Sequence, residues 1–175
     1  MNIFKLALVI VVLVFLFGCA AAGVPYTSDP YKKLGNAYEL MNMGRGIPAL
    51  SLGNEALSDF EEKNDRHGIA EAHIFLGQLY KQRYYGENEK SIKHSGEAIK
   101  IYEAMGNQTQ VAKAKFAQAN AYLQIDKSKS CGLYEESLVL LKRGKKENPN
   151  ESFQFNPTFN SEEEMINTFY NNNCK

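Results

Sequence analysis

The sequence predicts an all-α protein made of three stacked helix pairs and a capping helix at the carboxyl end. The first observation is a register. Leu34-Gly35-Asn36-Ala37-Tyr38, Leu76-Gly77-Gln78-Leu79-Tyr80 and Gln118-Ala119-Asn120-Ala121-Tyr122 follow one another at a spacing of 42 residues, and a fixed period of this size marks a chain of stacked supersecondary units. The second is periodicity. Ile69, Ala72, Leu76, Leu79 and Tyr80, then Ile92, Ser95, Ile99 and Tyr102, fall on helical stripes. Strand-like alternation is missing until Phe153-Gln154-Phe155.

Taken in chain order, the first element is an export segment. Met1 and Lys5 supply a positive end, and Leu6 to Phe17 is an unbroken apolar run of twelve, too short for a span of about 20 residues and the right length for a signal-peptide core. The run ends in Leu16-Phe17-Gly18-Cys19, which resembles the lipobox of bacterial lipoproteins in Leu16, Gly18 and Cys19 and departs from it at Phe17, a position that is usually small. The resemblance implies a signal peptide over 1–18, a diacylglycerol on the Cys19 thiol, an amino terminus acylated with chains such as palmitate, and a lipidated linker over 19–27. Several acyl chains anchor firmly where one holds only marginally. Ala20 follows the cysteine where an inner-membrane retention signal would place aspartate. The implied location is therefore the cell envelope, at an outer membrane facing the periplasm where two membranes exist. Two other readings stay open: cleavage at Ala20-Ala21-Ala22, releasing a chain that begins at Gly23, and an uncleaved helix.

The helices follow. Asp29-Pro30 caps and opens the first, Gly44-Arg45-Gly46 turns it into the second, and Glu62-Lys63-Asn64-Asp65 leaves for the next pair. Gly86-Glu87-Asn88, Gly106-Asn107 and Asn148-Pro149-Asn150 break the chain at matching places. The pairs occupy 28–65, 66–107 and 108–149. Their second helices repeat as well, since Glu55-Ala56-Leu57 and Phe60 lie 42 residues before Glu97-Ala98-Ile99 and Tyr102. In the third unit Ser137-Leu138 falls three residues early, which a shorter turn around Asp126 to Lys129 explains. Each pair has an apolar face it cannot bury alone, so the third needs a lid. Residues 150–175 supply it. Phe153, Phe155 and Phe159 form an aromatic strap, and the capping box Ser161-Glu162-Glu163-Glu164 starts a helix with Met165, Ile166 and Phe169 on one stripe.

The Leu-Gly-x-x-Tyr of the first helices and the Ala-Leu of the second resemble the tetratricopeptide repeat (TPR) family over residues 28–149. The chain departs from the family in its period, usually about 34 residues, and in carrying His73 and Lys115 where Tyr31 supplies the early aromatic. The resemblance implies a right-handed superhelix whose first helices line a concave groove that receives a peptide or helix of a partner protein. It also implies close helix crossing at Gly35, Gly77 and Ala119, and tyrosines packed between pairs. Asn36, Gln78 and Asn120 then share one groove-facing position, where amides can pair with a bound backbone. A subset of the family grips a terminal carboxylate with five residues. Lys32, Asn36 and Lys113 match three of those positions, and Phe75 and Ala117 stand at the other two. Ile74 and Phe116 make the neighbouring groove apolar.

The remaining residues exclude more than they assign. Lysine plus arginine and aspartate plus glutamate number 20 each, leaving no net field to attract nucleic acid. No nucleophile elbow, Walker loop or zinc-protease motif is present. His67 and His73 lie six residues apart on different sides of one helix, and His94 belongs to another. No metal, cofactor or enzymatic activity is expected, and the basic cluster Lys142-Arg143 with Lys145-Lys146 reads as helix-end compensation. Beyond Cys19, Cys131 and Cys174 leave an even number of thiols in an oxidising compartment. A pair would close a loop of about forty residues, and two separate thiols are the other reading. The expected function is a membrane-anchored adaptor that holds proteins or peptides, with a small-molecule-binding or soluble secreted module as the alternative.

Overall fold

The structure is a computed structural model and describes residues 24–82, 86–153 and 158–175. Cys19 and Phe155 lie outside them. The described residues form seven helices and no strand: α1 Pro30–Asn42, α2 Gly46–Glu62, α3 Arg66–Lys81, α4 Asn88–Ala104, α5 Gln108–Tyr122, α6 Lys127–Glu147 and α7 Glu162–Cys174. Each packs on its successor, and α1 touches α3 as α3 touches α5, so the first helices of the three pairs form one continuous layer.

The repeat register is written into the helix ends. Asp65 and Asn107, 42 residues apart, cap α3 and α5 by accepting the Gly68 and Gln110 amides at 3.0 and 3.1 Å. Each satisfies a first-turn N–H that has no carbonyl of its own to bond. Asn64 and Gly106 share the same spacing and take left-handed φ values of 52° and 69°. Each lets the next amide, Asp65 or Asn107, close back on the Phe60 or Tyr102 carbonyl. The shorter third turn is present too: α6 starts at Lys127, 39 residues after Asn88 opens α4, and Asp126 caps it through the Lys129 amide. At α7 the capping box is modified. Ser161 accepts from the Glu164 amide, but Glu164 accepts from Asn160 rather than from Ser161.

Three buried clusters run along the stack. The first joins Leu34, Leu40, Phe60, Phe75, Leu76 and Leu79 across α1 to α3. The second joins Ile74, Ile99, Tyr102 and Val111 across α3 to α5, and the third joins Leu133, Tyr134 and Leu141 to Phe153, Met165 and Ile166. The last is the expected lid: Phe153 and the α7 stripe cover the open face of the third pair, with Phe159 packed beside them. A buried Leu, Ile or Phe stabilises by roughly 1.5–3 kcal/mol, so α7 holds by Met165 and Ile166 first.

Close helix crossing is confined to particular glycines. A Cβ at Gly77 would stand 3.0 Å from Ser95 Oγ and 3.2 Å from the Ser91 carbonyl, and one at Gly68 would overlap the Phe60 ring. Gly35 has open space around it, so the crossing expected there does not occur. Tyr38 does pack between pairs, edge-on to Phe75 at 4.8 Å. Tyr80 packs against the same first cluster and also stacks within its own pair, on His94 at 5.5 Å.

Candidate binding pocket on the first-helix layer

A cavity of about 380 Å³ opens where the ends of α3 and α5 meet α7, lined by Gln78, Lys81, Gln82, Ser91, Phe116, Ala117, Asn120 and Phe169. Its walls follow from local structure. Gln78 and Lys81 project from the last turn of α3, Gln82 follows as its C-cap, and Phe116, Ala117 and Asn120 lie at i, i+1 and i+4 on α5. Phe169 reaches in from α7 and meets Phe116 edge-on at 5.2 Å. The lining combines amides, one ammonium and two aromatic rings.

Of the expected groove residues, Gln78, Phe116 and Asn120 come together here. The amides are not equivalent. Asn120 is engaged inside the protein, donating to the Phe116 carbonyl at 3.0 Å and accepting from the Tyr134 hydroxyl at 2.8 Å. Asn36 donates to the Pro25 carbonyl at 2.9 Å and fastens the amino-terminal segment to α1. Only Gln78 is well exposed, so the expected ladder of three offered amides reduces to one. Ile74 is not a groove residue. It is fully buried, because one turn before Gln78 the helix lies between α4 and α5, against Ala98, Ile99, Val111 and Ala114. Lys32 is exposed on α1. Lys113 is held by Glu71 at 2.6 and 2.7 Å, with 12% and 18% side-chain exposure for the pair, so its charge is neutralised from within. Phe75 is buried against Tyr38.

Lys81 is a lining residue that sequence reasoning missed, because a lysine in a last helical turn reads as compensation for the helix dipole. Burial pulls its ammonium below the ordinary lysine range. Ser91, Gln82 and Phe169 were missed for a different reason: nothing in their local sequence shows that three separate helix ends converge. A second hollow of about 310 Å³ lies at the start of α5, with Glu147 and Glu151 in its wall. Asn107 and Gln110 already donate to Glu151 there.

The histidines that sequence separates are partly reunited. His73 of α3 and His94 of α4 face each other with Nδ1 atoms 2.9 Å apart, so one ring donates and the other accepts. Burial lowers His73, and burial followed by the nearness of His73 brings His94 down to about 4. Lys93 and Lys90 reinforce the effect at His94, while Glu97 and Glu61 oppose it at one ring or both. The unfolded chain therefore takes up these protons first. Stability is expected to be complete above pH 6.5 and to fall as pH drops from 6.5 towards 4, by roughly 1–2 kcal/mol after allowance for partial exposure. Urea unfolding at pH 7 and pH 5 checks this, and a His73→Gln/His94→Gln variant should lose that part of the slope. No group of three His, Cys, Asp or Glu side chains among the described residues is placed to hold a metal ion.

The carboxyl-terminal cysteines are joined: Cys131 and Cys174 form a disulfide with Cα atoms 5.7 Å apart. Among the described residues no helix is long and apolar enough to cross a membrane.

Fold and pocket together define a class, an all-helical stack of hairpins with a mixed polar and aromatic pocket on its first-helix layer. Comparison with protein-family models, curated proteins and solved structures finds no match.

Proposed function

We propose that this protein is a membrane-anchored, TPR-like adaptor. Its three helix pairs wind as a right-handed superhelix, its first-helix layer forms the concave surface, and partner proteins or peptides bind there during envelope assembly or secretion. The single observation that carries this reading is the pocket, because it lies on the layer where the TPR resemblance expects a guest and gathers Gln78, Phe116 and Asn120 from two repeats. Pockets with mostly apolar walls and a few convergent polar groups are the usual form of recognition sites. The anchor in this reading is a lipid on Cys19, attached to a leader that resembles a lipoprotein signal.

One capture experiment tests both halves. The parent, a Gln78→Trp variant and a Cys19→Ser variant are expressed in a lipoprotein-processing bacterium, fractionated, and compared by mass spectrometry of bound proteins. Gln78 is exposed, so tryptophan should obstruct the pocket without lowering the unfolding temperature, and the partner set should shrink. Cys19→Ser should move from the membrane to the aqueous fraction. An unchanged partner set removes the groove from the account, and a variant that stays on the membrane removes the lipid.

The size of the pocket also suits a small molecule, since ligand cavities begin at about 300 Å³. Thermal shift against a metabolite collection separates that second reading, because a specific ligand stabilises by mass action.

A further inference from the structure

The cations of the first-helix layer differ in whether anything neutralises them. Lys33 pairs with Asp59 at 2.7 Å, Lys113 with Glu71 at 2.6 Å and Lys115 with Glu136 at 2.7 Å. Lys81 has no ion pair or hydrogen bond among the described residues, and no carboxylate lines its pocket. We propose that this pocket is a carboxylate site with Lys81 as its cation, taking a carboxylate carried next to an apolar group. The inference deepens the groove reading above and rests on it for the location of the guest.

The chemistry is complementary on each wall. A half-buried ammonium without an anion has lost part of its hydration with no compensating contact, and an arriving carboxylate supplies that contact as a charge-assisted hydrogen bond. Among the described residues burial is what lowers the Lys81 pKa, in keeping with a lining that holds no anion. Phe116 and Phe169 meet edge to face on the same lining, beside Ala117, and accept an apolar side chain or tail. Gln78 lies in the last turn of α3 before Lys81 and Gln82 follows it as the helix C-cap, and their amides can bond the polar atoms joining the two parts of the ligand. The TPR resemblance would assign the cation to Lys113, but Glu71 already occupies that ammonium, and the cation that lines this pocket is Lys81.

The same ligand chemistry has two sources, a free carboxylic acid and an acidic side chain within a peptide, so the test has two arms. The chain from residue 20 onward is titrated with N-acetylphenylalanine and with its carboxamide, followed by ¹H–¹⁵N spectra. It is also titrated with acetyl-Ala-Phe-Asp-Ala-amide and the same peptide carrying asparagine. The acid of at least one pair is expected to bind about tenfold tighter than its neutral partner, the scale of one hydrogen bond to a charged group. Shifts should centre on the 78–82 and 116–120 amides. In Lys81→Met the preference should fall to near unity with an unchanged unfolding temperature, and Lys81→Arg should restore it. Preference within the first pair alone identifies a free acid, and within the second a peptide. Equal affinity for acid and neutral forms in both pairs, no binding by any probe, or a preference that survives Lys81→Met overturns the proposal. Such an outcome leaves the adaptor reading standing whenever Gln78→Trp still loses partners.

Discussion

Replacing Glu71 by alanine should destabilise the fold by roughly 3 kcal/mol, the scale for removing one partner of a buried ion pair. Glu71 of α3 accepts from Lys113 Nζ of α5 at 2.6 and 2.7 Å and from the Tyr102 hydroxyl of α4 at 2.5 Å. Its loss leaves an ammonium and a phenol without partners at the junction of three helices. An unsatisfied buried hydroxyl alone costs about 1–3 kcal/mol. Burial by itself would raise the Glu71 carboxyl pKa, yet the Lys113 charge and the two hydrogen-bond donors outweigh it and hold the group below its ordinary value. The pair's contribution is therefore present above the unfolded carboxyl range and is lost as pH falls through the folded value. The double variant Glu71→Ala/Lys113→Met should recover part of the loss, because apolar replacement of a buried pair is often neutral. Urea unfolding of the parent, both single variants and the double variant measures the coupling. A single-variant loss under about 0.5 kcal/mol would mean the pair is solvated like a surface bridge.

That network also marks how far the sequence could be read. Glu71 and Lys113 are 42 residues apart, so they hold the same position in successive repeats, and a stack that superposes equivalent residues places them face to face. The register was legible from Leu34, Leu76 and Gln118 onward, but the pairing of Glu71 with Lys113 across it was not read, and Lys113 was assigned to the groove instead. The caps at Asp65 and Asn107 and the 39-residue offset of α6 were readable for a local reason. Turn chemistry is fixed within a few residues and needs no knowledge of packing. Ile74 and Lys113 were misplaced because helical spacing gives the direction of a side chain and not what stands opposite. The same Asn-Gln-Asn position holds one exposed amide and two that bond inward, a difference set by Pro25 and Tyr134. The convergence of His73 with His94, and of Phe169 with Phe116, depends on the angles at which helices cross. No single-helix pattern carries that information.

Reduction of Cys131–Cys174 should lower stability by roughly 2–4 kcal/mol, equivalent to a fall in Tm of about 6–12 °C for a chain of this size. The bond spans 43 residues and restrains the unfolded chain across the strap and all of α7. The folded-state effect should be uneven along that helix. At its start, Met165 and Ile166 are buried, Glu162 meets Lys145 at 3.1 Å and Glu163 meets Lys142 at 3.1 Å. Its last turns are held by the disulfide, by the Tyr170 hydroxyl donating to Glu135 at 2.6 Å, and by Phe169 against Phe116. Cutting the covalent link therefore frees the end that carries a wall of the pocket while the beginning stays docked. Hydrogen exchange on a Cys131→Ser/Cys174→Ser variant should show faster exchange over 169–174 than over 162–166, with α1 to α4 unchanged. Uniform acceleration through α5 and α6 would instead make the disulfide a support for the whole third pair. Because Phe169 moves with the freed end, the same variant should bind pocket ligands more weakly, so the shape of the site depends on the disulfide staying oxidised.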